Sequence, residues 1–159
     1  MLFRSDYPDN EKLILALDAL AQIDPNNELE FVTEVNVHFG GFLAGVFGSC
    51  DLAGRIRNRA ILLDWKFGDG VPVDAEENEQ LMFYTAAGMR TPELRWVFEG
   101  IDEIELIIVQ PPYVKRWLTT PGRIKAFERT LYDAVQASYA PNPKLEAGDH
   151  CRWCAAKPV

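Results

Sequence analysis

The sequence has few cysteines and no long apolar run. Three cysteines among 159 residues are too few for a disulfide framework and are typical of a reducing compartment. No apolar run approaches the roughly 20 residues that cross a bilayer. The first residues also lack the basic start and apolar core of a secretory signal. We therefore expect a cytoplasmic protein without a membrane segment.

Positive charge is also scarce. The chain carries 24 acidic and 16 basic residues, which gives a net charge of −8. A protein that binds nucleic acid nonspecifically more often has a surplus of basic residues. The charge balance therefore disfavours such a binder, but it allows an enzyme that holds a polyanion through metal ions.

The spacing of apolar residues predicts an α/β fold, a mixed central β-sheet flanked by helices. The expected elements are a helix over 10–22, a strand over 29–38, a hairpin over 51–68 turning at Arg57–Asn58, a helix over 74–88, a strand over 101–110 and a helix over 120–140. Asp74 and Thr120 are the expected N-caps of the last two helices, and Glu76 and Glu77 would lie in the first turn after Asp74. We expect one domain over residues 1–159, with a loop-like tail at about 141–159.

Opposite charges end the apolar run of the hairpin's second strand, in ILLDWKFGDG at residues 61–70. Asp64 and Lys66 would point to one strand face, and the other strand of the hairpin can bring Asp51 beside them. Two converging carboxylates repel each other unless a cation joins them, and Mg²⁺ prefers oxygen ligands. A nearby lysine can assist an attacking water or stabilise charge on a phosphate. For an isolated D-x-K, a surface ion pair at a strand end is the simpler interpretation.

The pair Asp64 and Lys66 belongs to the second of three motifs that follow one another along the chain. GSCD at 48–51, LLDWKFG at 62–68 and QLMFY at 80–84 resemble the G-x-x-D, D-x-K and Q-x-x-x-Y motifs of the PD-(D/E)XK nuclease superfamily, in particular its RecB-like exonuclease branch. DWKFGDGVPVDAEENEQLMFYT, IIVQPP and HCRWCAAK are similar to an uncharacterised family of that branch encoded by phages and prophages. The resemblance covers about residue 29 to the C-terminus.

The resemblance implies a restriction-endonuclease-like core and a DNA nuclease that depends on Mg²⁺ or Mn²⁺. Such an enzyme, which we expect to be an exonuclease, would act in phage or bacterial DNA processing and recombination. Its partners would be DNA and phage or host recombination or replication proteins. Asp51, Asp64 and the backbone carbonyl of Trp65 would bind the metal, and Lys66 would be the catalytic lysine.

The resemblance also assigns residues around that centre. Gln80 and Tyr84, at positions i and i+4 of one helix face, would position DNA or the lysine. Relatives place a glutamate near the metals on the earlier strand, where Glu34 either points into the site or faces solvent. Relatives also carry a histidine ligand on an N-terminal helix, but the helix at 10–22 has none. We interpret His38 as an ordinary surface or packing residue.

Basic side chains would have to contact the phosphates of bound DNA. The candidates are Arg55, Arg57, Arg59, Lys115 and Arg116. A regular pleat would place the three hairpin arginines on one face, although a solvated surface would carry the same residues.

Cys151 and Cys154 form a C-x-x-C motif near the C-terminus. Several relatives bind a [4Fe–4S] cluster through one upstream cysteine and a terminal C-x₂-C-x₅-C. Two ligands cannot close a four-coordinate site, so we expect no iron–sulfur cluster in this chain. Cys50 is expected to be a small buried packing residue.

Two other functions remain open. The domain would bind DNA or a recombination partner without cutting if the nuclease fold had lost its activity. A zinc-stabilised interaction domain built on the terminal cysteines is a further alternative.

Overall fold

The computed structural model describes residues 10–67 and 71–154. Its contacts divide the chain into two compact units, residues 1–128 and 129–159. The helices are Asn10–Ile23 (α1), Glu79–Gly88 (α2), Arg95–Phe98 (α3) and Pro121–Ser138 (α4), and the strands are Glu30–His38 (β1), Phe47–Ile56 (β2), Arg59–Trp65 (β3), Glu103–Gln110 (β4) and Tyr113–Thr119 (β5). None of the described helices has the length and apolarity needed to cross a membrane.

The first unit is built on a mixed five-stranded sheet in the order β1-β2-β3-β4-β5. β3 and β4 run parallel and the other neighbours run antiparallel. Parallel neighbours need a crossover, and the chain between β3 and β4 contains α2 and α3. The predicted α/β fold, a mixed sheet flanked by helices, is confirmed.

The two faces of the sheet pack against different helices. Ala19 and Ile23 of α1 form a core cluster with Ile61 and Leu63 of β3. Alternation along β3 turns Leu62 and Asp64 to the opposite face. α2 packs against β1, β2 and β3, and its contact with Lys66 places it on the face of Asp64. The burial of β3 on both faces explains why its sequence is an almost unbroken apolar run.

One strand was missed by the sequence analysis. β5 follows directly after the prolines that end β4, and it pairs antiparallel with β4 from Gln110↔Tyr113 to Ile104↔Thr119. Lys115 and Arg116 therefore lie within a strand, with their side chains on opposite faces. The pattern was obscured because β5 is an edge strand that carries polar and exposed residues on both faces.

The predicted start of α2 was wrong. The helix begins at Glu79, and Asn78 is its N-cap, accepting a 3.0 Å hydrogen bond from the N–H of Leu81. Glu77 has φ +52°, which no helix continues through, so Glu76 and Glu77 precede the helix. The Thr120 cap is confirmed, because its Oγ1 accepts a 3.2 Å hydrogen bond from the N–H of Arg123.

The second unit contains the last turns of α4 and the C-terminal tail. A short 3₁₀ helix, Asp149–Trp153, interrupts the tail that was predicted to be a loop. Cys151 is half-buried and Cys154 is exposed. The N–H of Gly148 donates a 3.5 Å hydrogen bond to Cys151 Sγ.

Candidate active site

One row of residues crosses all five strands of the sheet. The pairs Thr33↔Leu52 and Val35↔Cys50 set a register that places Glu34 opposite Asp51. The β2–β3 register continues this row to Asp64, which pairs in turn with Ile108. Ile108 pairs with Lys115. Directly opposed residues share a face in a regular pleat, so Asp51, Asp64 and Lys115 are aligned on one face of the sheet. Glu34 occupies the next position of the row, on β1.

Asp51 is bound to the backbone of the neighbouring strand. The β2–β3 ladder ends at Leu52↔Leu63. Beyond it, the N–H of Trp65 donates a 2.8 Å hydrogen bond to Asp51 Oδ2. The Asp51 carboxylate thus takes the place of a backbone carbonyl of β2 and satisfies the half-buried N–H of Trp65, which would otherwise lack a hydrogen bond. This bond fixes Asp51 beside the end of β3, where Asp64 lies.

Asp64 is a buried carboxylate with an incompletely satisfied oxygen. The residue is 5% exposed. Within the described chain, Asp64 Oδ2 has no hydrogen-bond partner. Lys66 Nζ lies 2.8 Å from this oxygen, an ion-pair distance, so the compensation is electrostatic without hydrogen-bond geometry. Burial raises the pKa of the Asp64 carboxyl, and the adjacent Lys66 ammonium group offsets only part of that rise.

Lys66 is held from its other side by α2. Its Nζ donates a 2.9 Å hydrogen bond to Gln80 Oε1, and Gln80 Nε2 donates a 2.8 Å hydrogen bond to Tyr84 Oη. Gln80 and Tyr84 are one helical turn apart, so both reach the same edge of the site. The structure therefore brings Asp51, Asp64, Lys66, Gln80 and Tyr84 together, as the three sequence motifs predicted.

Gly48 explains why the first motif begins with glycine. A Cβ at this position would lie 2.8 Å from Tyr84 Cε1 and 3.2 Å from Phe83 Cε1. Real Cβ atoms essentially never come as close as the first of these distances. The glycine thus lets α2 approach β2 closely enough for Gln80 to reach Lys66.

Glu34 has an unusual backbone conformation at the start of the row. Its φ is +51°, the left-handed region that non-glycine residues rarely enter. The side chain is exposed. Such backbone strain costs on the order of 1–3 kcal/mol and is concentrated at functional sites. A metal-binding role for Glu34 stays a prediction.

The candidate site supplies two carboxylates for a divalent cation and lacks a third acidic or histidine ligand among the described residues. No group of three His, Cys, Asp or Glu side chains in residues 10–67 and 71–154 is arranged to hold a metal ion. Asp51 and Asp64 supply two carboxylates, and Asp64 Oδ2 is buried without a hydrogen bond. Mg²⁺ usually keeps several waters and needs one or two protein carboxylates, so this donor set suits it. The Trp65 carbonyl as a ligand stays a prediction.

The hairpin arginines are bound to other parts of the protein. Arg55 Nη1 donates to the carbonyls of Trp96 at 3.2 Å and Glu99 at 2.5 Å, at the end of α3. Arg57 lies in the hairpin turn with φ +54° and forms a 2.8 Å ion pair with Glu28. Both arginines have intramolecular partners that bound phosphate would have to replace.

Arg59 and Arg116 are joined by a buried acid. Glu105 accepts hydrogen bonds from Arg116 at 2.6 and 3.1 Å and from Arg59 at 3.2 Å. Arg59 also binds Glu103 at 2.8 Å. Arg59 lies five residues before Asp64, about 16 Å along the strand. This cluster is therefore at the other end of the sheet from the carboxylates.

The predicted common face of the three arginines was wrong. Arg55 pairs with Ala60, whereas Arg59 pairs with Ile56. The two arginines therefore occupy opposite faces of the sheet, and Arg57 belongs to the turn. A two-residue turn with a left-handed residue breaks the alternation that a continuous strand would have kept.

We expect Glu105→Gln to lower the free energy of unfolding by about 2 kcal/mol, because two guanidinium groups lose their shared, buried charge. Urea unfolding would measure this loss. Glu103→Gln is the matched control, since that carboxylate is 40% exposed and contacts only Arg59 of the two arginines. Its expected loss is below about 1 kcal/mol. Equal losses in the two variants would contradict the role assigned to Glu105.

Two further sequence predictions concern residues near the row. Cys50 is fully buried, as predicted, and burial raises the pKa of its thiol to about 12. His38 is half-buried at the end of β1, and its backbone N–H donates a 3.0 Å hydrogen bond to Thr91 Oγ1. Asn78 was missed as the residue that caps α2, although asparagine is among the preferred N-cap residues.

Comparison with known proteins shows the family of this chain. The family described as "Protein of unknown function (DUF2800)" matches residues 13–159. The chain belongs to this family. A solved structure described as "Crystal structure of SSO0001" is similar to the DUF2800 protein at 21% identity, covering 94% of this chain and 70% of that chain, with a TM-score of 0.42. Neither description assigns an activity, so a function for this DUF2800 protein has to be argued from its site.

Proposed function

We propose that this protein is a metal-dependent deoxyribonuclease that hydrolyses phosphodiester bonds from DNA ends. The observation that carries the proposal is the buried Asp64 carboxylate, whose Oδ2 has no hydrogen bond among the described residues. Asp51 is fixed on the neighbouring strand, and Lys66 lies 2.8 Å from the same oxygen. Lys66 offsets only part of the cost of burying this carboxylate near Asp51, and a divalent ion bound by both acids would offset more of it, which supports a metal-binding role.

Asp51 and Asp64 would hold Mg²⁺ or Mn²⁺, with the Trp65 carbonyl as a further ligand. A bound ion of this kind polarises a phosphate oxygen and lowers the pKa of an attacking water. Asp51 Oδ2 already accepts the Trp65 N–H, so its orientation is set before any ion binds. Pre-set ligands avoid the cost of ordering flexible side chains when the ion and substrate arrive.

Lys66 supplies positive charge at the same place. Its ammonium group has three donors, and Gln80 Oε1 accepts one of them while Asp64 attracts the group as an ion pair. Gln80 is held in turn by Tyr84. We propose that Lys66 donates a hydrogen bond to the developing negative charge on the scissile phosphate, or orients the attacking water.

The proposal extends to partners and compartment. The substrate would be DNA in phage or bacterial processing and recombination, with recombination or replication proteins as further partners, in the cytoplasm of a bacterial cell. The alternative is a domain that binds DNA or a partner without cutting it. One observation favours that alternative, because only two carboxylates meet at the site in the described residues.

The test is cleavage of linear single-stranded and duplex DNA with Mg²⁺, Mn²⁺ or EDTA. Circular DNA of the same sequence is the matched control, because an exonuclease needs a free end. We expect progressive shortening of linear DNA with either metal, none in EDTA, and intact circles. Cleavage in EDTA would contradict the metal site, and cut circles would show endonuclease action. DNA binding without cleavage in any metal would favour the alternative.

A further inference from the structure

Two side chains from β4 and β5 bind the irregular segment 71–74, which leads towards α2. Gln110 Oε1 accepts a 3.1 Å hydrogen bond from the N–H of Val73, and Gln110 Nε2 donates a 3.3 Å hydrogen bond to the carbonyl of Val71. Lys115 Nζ donates a 2.6 Å hydrogen bond to the carbonyl of Val73 and lies 2.9 Å from Asp74 Oδ1. Both polar backbone groups of Val73 are thus satisfied by side chains of the sheet.

Further hydrogen bonds connect this segment to α2, the helix that carries Gln80. Asn78 Nδ2 donates a 3.0 Å hydrogen bond to the carbonyl of Asp74, and Asn78 Oδ1 caps α2 through the N–H of Leu81. Ala75 is buried between these two points. Gln80 follows in the first turn of α2, where its Oε1 accepts from Lys66 Nζ. A continuous series of short contacts therefore links Gln110 and Lys115 to Lys66.

We propose that Gln110 and Lys115 are positioning residues that hold segment 71–74, and through it α2, so that Gln80 fixes the Lys66 ammonium group. The proposal rests on the nuclease function proposed above. It changes the role of Lys115, which the sequence analysis treated as a DNA contact. Lys115 lies two strands from Asp64 in the same row, about 10 Å away, and its donors face Val73 and Asp74.

The physical reason is the length of the connection between Lys66 and Gln80. Residues 67–78 contain two glycines and a proline, and their backbone is irregular wherever the structure describes it. Ordering each such residue costs on the order of 1–2 kcal/mol of conformational entropy. Contacts made in the middle of the connection limit the positions that Gln80 can sample. Residues that orient metal ligands from outside the metal site typically change activity about 10- to 100-fold when they are removed, and we expect a loss of this order for residues that orient Lys66.

The test compares Lys115→Met, Gln110→Met and Asp74→Asn with wild type on labelled linear DNA. We expect kcat to fall about tenfold in each variant with KM changed less than about twofold, because the Lys66 position is lost and the DNA contacts are kept. Lys115→Arg should restore part of kcat, since arginine can still bind Asp74. Amide hydrogen exchange over residues 71–84 should become faster in the three variants. Lys12→Met, on an exposed position of α1, should match wild type in every measurement.

Asp74→Asn separates positioning from DNA binding. If Lys115 contacts DNA, Lys115→Met raises KM and lowers the salt dependence of binding by about one unit of slope, while Asp74→Asn frees the lysine and leaves binding intact or tighter. That pattern would overturn the proposal, and so would unchanged kcat and unchanged exchange. If Gln110→Met unfolds, Lys115→Met decides, since Lys115 lies on an edge strand.

Failure of this inference differs from failure of the proposed function. A wild-type enzyme that cuts DNA with unaffected variants would overturn the positioning role alone. A wild-type protein that cuts no DNA in any metal would overturn the nuclease and, with it, the catalytic meaning of the two residues. Hydrogen exchange would then still decide whether Gln110 and Lys115 hold segment 71–74.

Discussion

Lys66→Met is expected to lower kcat for DNA cleavage by about 10²- to 10⁴-fold, the range that a positioned proton-transfer or charge-stabilising group supplies. Methionine keeps the length and the apolar stem of the side chain, so the change removes the ammonium group alone. Lys66 lies 2.8 Å from Asp64 Oδ2 and 2.9 Å from Gln80 Oε1. The structure therefore places this ammonium group directly beside the Asp64 carboxylate.

The loss should appear in kcat and leave DNA affinity largely unchanged. Single-turnover cleavage and binding measured with Ca²⁺ in place of Mg²⁺ would separate the two. Lys12→Met is the matched control, because it removes the same charge from an exposed position of α1. Lys66→Arg should recover little activity, since the planar guanidinium cannot occupy the position of an ammonium group between Asp64 and Gln80. Cleavage by Lys66→Met within about threefold of wild type would remove Lys66 from the mechanism.

Asp64→Asn is expected to abolish cleavage and to stabilise the metal-free protein. Burial raises the pKa of Asp64 despite the nearby Lys66, so the ionised form costs more inside the protein than its ion pair returns. Asparagine removes the charge with little change of shape. We expect the thermal midpoint in EDTA to rise by about 2–4 °C, the shift that about 1 kcal/mol produces in a domain of this size.

Metal should stabilise wild type and have little effect on Asp64→Asn. A divalent ion at about 100 times its Kd would stabilise wild type by about 2.7 kcal/mol, and Asp64→Asn should lose most of this gain. Thermal unfolding with Mn²⁺ and with EDTA would measure both effects. Asp18→Asn, an exposed carboxylate of α1, is the control and should respond to Mn²⁺ as wild type does. A metal-dependent rise of the same size in Asp64→Asn would place the ion elsewhere.

The pH dependence of stability follows from the same carboxylate. Because the pKa of Asp64 is raised in the folded state, the folded protein holds this proton more tightly than the unfolded chain. Its contribution to stability is therefore lost as the pH rises from the usual carboxyl pKa through the raised one. Metal-free Asp64→Asn should lack this component of the pH profile. The same burial that destabilises the apo site would prepare it for a cation.

Much of the proposed site could be predicted from short stretches of sequence. A strand repeats every two residues, so Asp64 and Lys66 had to share a face, and a hairpin had to return the chain so that Asp51 lay near them. Helical spacing likewise placed Gln80 and Tyr84 on one side of α2. These statements needed only local geometry and the resemblance of three motifs. The cleavage chemistry itself remains a proposal that these residues support.

The errors of the sequence analysis arose where distant residues decide the outcome. Asp74 has the side chain of an N-cap, but Lys115 binds it from a strand 41 residues away, and Asn78 caps α2 instead. Arg57 was placed on a strand face, although its left-handed backbone belongs to a turn. The sequence also does not show whether a lysine or arginine binds phosphate or an acid of the same protein, such as Glu105.

Local sequence patterns were sufficient to predict the mixed α/β class and the face shared by Asp64 and Lys66, because both depend on the period of strands and helices. The order of the motifs can be read directly along the chain. The folded structure was needed to show that Asp64 Oδ2 is buried without a hydrogen bond and that Gln80 reaches Lys66. It also decided which cations are paired with acids. Burial and ion pairing depend on residues that are distant in sequence and meet across the sheet, so a local sequence pattern cannot predict them.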